Sequence, residues 1–186
     1  MSTALSILTG MALMLALYAL AQRLTGFQAQ KPADYAGKQP AMDIRKHLSG
    51  PLRCEGVIYG PTGRVTSRFT ADMEGRWDGN RGVLTENFHY DSGTKQDREW
   101  RLSIGNDGRI VADADDLAGQ GSGTQEGSAV QLRYTIRLPE SAGSHALDVT
   151  DWLYLVDERT IVNRSQFRKF GIKVAELVAT MRRVET

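Results

Sequence analysis

Residues 64–75, RVTSRFTADMEG, set Val65, Phe69, Ala71 and Met73 on one side and Arg64, Arg68 and Asp72 on the other. That period of two belongs to a half-buried β-strand. The pattern continues outward. Leu84, Glu86, Phe88 and Tyr90 share a face of the next strand. Asp91-Ser92-Gly93-Thr94 then turns the chain, and Arg98, Trp100, Leu102 and Ile104 share a face of the strand that follows. Gly105-Asn106-Asp107-Gly108 turns it again. Further strands fit 109–117, 129–138, 146–156, 160–168 and 172–182, though IKVAELVATMR at the last also fits an amphipathic helix. Cys54, Val57 and Ile58 lie in a shorter strand-like stretch, and MDIRKHLSG (42–50) suits a short helix capped by Asp43 and ended by Gly50. So many consecutive strands on short turns predict an all-β, antiparallel meander. Closing into an up-and-down barrel is its simplest way to remove exposed edges, and a β-sandwich is the alternative.

The 186 residues suit one domain. Net charge is +1 with the signs interspersed, which leaves no basic face for nucleic acid. Most of the 19 glycines lie at Gly50 or later, where they fit frequent turns. The single cysteine forms no internal disulfide.

No charged side chain precedes Arg23, and ALSILTGMALMLALYALA (4–21) is an uninterrupted apolar run. Residues 1–21 therefore read as a signal peptide or a transmembrane anchor. Ala19-Leu20-Ala21 offers a small-residue cleavage site. The length of the run and the lack of a preceding Lys or Arg lean towards an anchor that just spans a bilayer. Arg23 and Lys31 follow the run and would by themselves favour a cytoplasmic domain. Residues 22–42, interrupted by Pro32 and Pro40, read as a polar tether, and 43–186 as the β domain.

No nucleophile elbow, phosphate loop or Cys/His metal spacing is present, and no cofactor is expected. His47, His89 and His145 stand in separate elements. Gly119-Gln120-Gly121-Ser122-Gly123 lacks the Lys-Ser/Thr of a phosphate loop and reads as a turn. The more informative residues are polar ones on faces expected to be interior. Glu86 and Arg98 stand opposite each other if the hairpin loop is odd in length. Asp116 shares parity with Ala112 and Ala114, and Asp151-Trp152 and Asn163-Arg164-Ser165 place more polar groups beside apolar ones. A buried charge must be paired or neutralised. Three readings follow: an ion-pair network that fixes strand register, an arginine (Arg98 or Arg164) gripping the anionic head of an amphiphile, or catalysis by Glu86, Asp116 or Asp151. Trp77, Trp100 and Trp152 fit core or barrel-end positions.

SGPLRCEGVIYGPTGRVTSRFTADMEGRWDGNRGVLTENFHYDSG (49–93), ADADDLAGQGSG (112–123) and DWLYLVDERTIVNRSQFRKFGIKVAEL (151–177) resemble the bacterial domain-of-unknown-function family numbered 3833. The resemblance covers about residues 43–183. It implies an exported protein with a lipocalin-like barrel, often a lipoprotein, near genes for fatty-acid or phospholipid modification. The positions matching the family's polar motifs are Glu86, Arg98, Trp100, Asp116, Asp151, Trp152, Asn163 and Arg164. Many relatives carry a lipidated cysteine after the leader. This leader ends Ala-Leu-Ala-Gln, so any anchoring falls to the apolar helix itself. The resulting expectation is a cell-envelope protein, inner-membrane anchored or secreted to the periplasm. It would bind or carry a lipid or fatty-acid-like amphiphile at those eight residues. An enzyme of lipid modification and a structural or partner-binding envelope module are the alternatives.

Overall fold

The computed structural model describes residues 3–140 and 143–184. Among these residues ten strands follow two α-helices, α1 (Thr3–Leu24) and α2 (Ile44–His47), with two short 3-10 turns, Phe27–Ala29 and Pro32–Tyr35, between them. They are β1 (Gly50–Tyr59), β2 (Val65–Asp78), β3 (Arg81–Tyr90), β4 (Lys95–Ile104), β5 (Arg109–Asp113), β6 (Gly121–Glu126), β7 (Ala129–Arg137), β8 (Ala146–Asp157), β9 (Thr160–Lys169) and β10 (Ile172–Arg183). Each strand pairs antiparallel with the next, and β10 returns to β1 to close a barrel. The closing seam runs from Leu52 opposite Arg183 to Tyr59 opposite Glu176. The 172–182 segment is thus a strand, paired on both edges, where its periodicity alone also allowed a helix.

Two details depart from the sequence expectation. Gly119–Gly123 is not simply a turn, because Gly121 opens β6. A Cβ at Gly123 would sit 2.4 Å from Leu132 Cδ2, so glycine is what lets the large β7 side chains cross this wall of the barrel. β5 ends at Asp113, which leaves Asp116 in the loop beyond the strand.

Inward-facing residues form one continuous core that includes Leu52, Cys54, Phe69, Met73, Leu84, Trp100, Leu102, Ile110, Val130, Leu153 and Ile161. α2 plugs one end of the barrel. Asp43 caps it by accepting from Arg45 N at 2.9 Å, Ile44 N donates to Gln125 Oε1 at 2.8 Å, and Trp77 Nε1 donates to Leu48 O at 3.0 Å. The expected barrel-end role of Trp77 is realised here. Leu48 O fits because residue 75 is glycine: a Cβ there would lie 1.7 Å from it. The far end carries the β1–β2, β3–β4, β5–β6, β7–β8 and β9–β10 connections.

The expected tether does pack. Phe27 is buried on the outer wall with Ala129 and Trp152, and Tyr35 and Tyr154 close around them. Trp152 and Tyr154 stack with rings 5.8 Å apart, and both tyrosine hydroxyls donate to Gln30 Oε1. Residues 27–36 thus form a strap along the barrel's outside, and Met42 continues into the core at the plugged end. α1 stands clear of the barrel; its Thr3–Ala21 stretch, mean hydropathy 2.0, is long and apolar enough to cross a membrane by length and composition.

Candidate functional site

β3 and β4 pair across an odd loop, residues 91–93, closed by Tyr90 N donating to Thr94 O at 2.9 Å, and the register sets Glu86 directly opposite Arg98. Both point inward, but they do not bond each other. Arg98 instead reaches Asp116, with Nε 3.0 Å from Oδ2, and its guanidinium lies 4.1 Å from the Trp100 ring centre. Tyr134, from β7, packs edge-on against Trp100 at 5.1 Å and lies under the same guanidinium. This arginine is therefore already neutralised and sandwiched.

Glu86 is left with Oε2 buried and without a hydrogen-bond partner. Burial pushes its carboxyl up to about 7, against the pull of Arg98 and with a further push from Asp151. Asp151 sits on β8, on the wall of the ring opposite β3. It accepts from Ser165 Oγ at 2.7 Å and from Asn163 Nδ2, while burial still raises its pKa. Burial likewise raises the Tyr134 hydroxyl. The belt thus holds three carboxyl groups against one guanidinium in a poorly hydrated space. Burial, more than this repulsion, favours the protonated form of Glu86, and a proton there also lessens the excess of negative charge.

Beside this belt lies a void of about 50 Å³, lined by Glu86 and Asp151 and by Ile44, Leu84, Leu102 and Leu153 among others. Its walls come from α2 and from strands all round the barrel. It has room for roughly three water molecules.

Six of the eight expected residues meet here: Glu86, Arg98, Trp100, Asp116, Asp151 and Asn163. Trp152 and Arg164 do not. They are cross-strand partners on the outer wall. Trp152 is buried under the strap, and Arg164 pairs with Glu176 at 2.6 Å with its guanidinium 4.9 Å from the Phe27 ring. The expectation that Arg164 could anchor a head group inside the barrel is corrected accordingly. Ser165, named in the sequence only within the 163–165 polar run, also belongs to the belt; Tyr134 belongs to it and was not singled out, although the 130, 132, 134 alternation of β7 was an available signal. Among the described residues no group of three or more His, Cys, Asp or Glu is arranged to hold a metal ion.

The chain is similar in fold to several solved structures. Rv2717c from M. tuberculosis matches with a TM-score of 0.59 at 16% identity, over 80% of this chain and 99% of that one. An S-type phycobiliprotein lyase, CPES, from Guillardia theta matches at 0.57 and 9% identity, over 77% and 92%. A protein of unknown function from the DUF3598 family of Nostoc punctiforme matches at 0.57 and 14%, over 79% and 51%. At these identities the likeness speaks for a lipocalin-like barrel and no more. No curated protein matches the sequence. A family profile does match, over residues 21–183, and the chain accordingly belongs to DUF3833, a family of proteins of unknown function.

Proposed function

We propose that this is a membrane-anchored envelope barrel that binds a lipid-like amphiphile, with the polar end of the ligand held in the interior belt between Glu86 and Asp151. The observation that carries the reading is the buried, unpartnered Oε2 of Glu86 at the edge of a void that is otherwise walled by apolar side chains and the single carboxyl of Asp151. An unsatisfied carboxyl oxygen in such a place destabilises the empty protein by about 1–3 kcal/mol, and a ligand that donates to it recovers this. Because Arg98 is engaged by Asp116, the head group that fits is a neutral hydrogen-bonding group rather than an anion: a hydroxyl, an amide or a protonated carboxyl, each able to donate to or accept from the Glu86 carboxyl. α1 supplies the membrane attachment, being long and apolar enough to span.

The void favours a second reading. At about 50 Å³ it is far below the roughly 300–1,000 Å³ of pockets that enclose small molecules, so a bound tail must push the interior apart, with α2 as the shortest wall to displace. A barrel that does not open would use the belt to fix strand register.

Organic extraction of protein purified from membranes in mild detergent, read by mass spectrometry, separates the two. A stoichiometric amphiphile, depleted in Glu86→Gln, supports binding. No extracted amphiphile, together with no change in melting temperature on titration with fatty alcohols and fatty acids of graded length, leaves the register-fixing reading.

A further inference from the structure

The β9–β10 turn carries a residue that neither its backbone nor the core explains. Phe170 adopts φ 52, followed by Gly171 at φ 78. Two consecutive positive φ values favour Asn-Gly, and a bulky aromatic at the first position is strained. Burial does not compensate: Phe170 is 91% exposed, and its neighbour Ile172 is 70% exposed. The tip is nonetheless held in shape, with Arg168 Nη1 donating to Gly171 O at 2.7 Å and Lys169 Nζ 2.9 Å from His145 Nδ1.

Cations surround it. Arg168, Lys169 and Lys173 flank the tip, and Arg164 lies one step further along β9; the nearby carboxylates are Glu176, which pairs with Arg164 and Lys173, and Asp148, across the ladder from Arg168. The excess is positive. The same tip forms one side of an open cleft of about 820 Å³, whose other side is Tyr18 and Ala19 of α1. The strap fixes this neighbourhood, because Phe27 and Gln28 bind the outer wall immediately after α1 ends; Gln28 Nε2 donates to Gln166 Oε1 at 3.3 Å. An exposed aromatic and an exposed aliphatic ringed by cations, beside a helix of membrane-spanning composition, match the chemistry of an anionic bilayer interface.

We propose that the β9–β10 tip inserts Phe170 and Ile172 into the anionic phospholipid leaflet at which α1 enters the membrane. The far end of the barrel then faces the bilayer and the plugged end faces water. This rests on α1 being retained as a spanning anchor. It goes beyond anchoring by fixing which face of the barrel meets lipid.

The test uses full-length protein in nanodiscs of phosphatidylcholine alone or mixed with phosphatidylglycerol. An environment-sensitive fluorophore is attached through I172C or, on the plugged end, through D107C; Cys54 is buried and stays unlabelled. The I172C label is expected to shift to the blue and to be quenched by lipids carrying a nitroxide at headgroup depth. Quenching should be stronger in the anionic discs, weaken with added salt, and fall when F170S is combined with I172C. The D107C label should stay unquenched. Equal quenching at the two positions, or no dependence on lipid charge, overturns the docking. Extraction with alkaline carbonate distinguishes the two failures. Protein that resists extraction while its tip stays unquenched keeps its anchor and loses only the docking. Protein released by carbonate has no spanning helix, and both readings fall.

Discussion

Replacing Glu86 by glutamine should change the pH dependence of stability more than stability itself. The carboxyl titrates near 7 in the folded barrel against an ordinary value of 4.5, because burial disfavours its charged form. Between those pH values the native protein holds a proton that the unfolded chain has released, so stability falls as pH rises through the window. At about 1.4 kcal/mol per pH unit the full loss by pH 8 is about 3 kcal/mol. Asp151 is also raised and adds to the fall with the same sign. Asp43 and Glu176 are lowered, so their contribution is lost only in acid, below the window. The comparison is urea unfolding of wild type and Glu86→Gln, followed by circular dichroism in one detergent at about pH 5 and pH 8. Whatever the amide costs in packing is common to both conditions. The variant should therefore gain on wild type by about 2–3 kcal/mol between them, most of the full loss. An unchanged difference at the two pH values would refute the claim that Glu86 is a buried acid with a displaced titration.

Arg98→Met should destabilise by about 3 kcal/mol in the same assay, because it leaves Asp116 and Glu86 without their cation; a neutral result would mean the belt carries no electrostatic strain. Gly75→Ala should dislodge α2, since its methyl group would occupy the site of Leu48 O, and should red-shift the fluorescence of Trp77 while the barrel's β-sheet circular dichroism persists. Trp152→Ala should cost about 3–5 kcal/mol and open residues 26–36 to proteolysis ahead of the barrel strands; cleavage first within the strands would contradict a strap held by this side chain. Cys54, whose thiol burial pushes up to about 12, should react with maleimide only as fast as the barrel opens, so its labelling should slow in step with any stabilising ligand.

The parity of individual strands made much of the barrel legible. Glu86 opposite Arg98 followed from alternation plus an odd loop, and the Asp43 cap of α2 from local chemistry, whereas the helix stops at His47 and Gly50 already opens β1. Two strands hid their orientation. In β8, Asp151 faces inward while Trp152 and Tyr154 face outward into the strap, so the usual rule of apolar inside is reversed at 151 and 152. In β9, Asn163 and Ser165 point in and Arg164 and Gln166 point out, with polar residues on both faces and no contrast to read. The strap itself was missed because Phe27 and Tyr35 are isolated aromatics among polar residues, and only the folded wall reveals their partners. The size of the void depends on packing and has no local signature.

The seam between β1 and β10 has a consequence for how the chain reaches this shape. β1 emerges early and pairs at once with β2, but its other edge stays bare until the last strand arrives from the opposite end of the sequence. Ring closure is then the contact of greatest sequence separation, and such contacts are slow to form. The seam therefore sets the last step of closure, and loss of the final strand leaves an open sheet with two sticky edges rather than a smaller barrel.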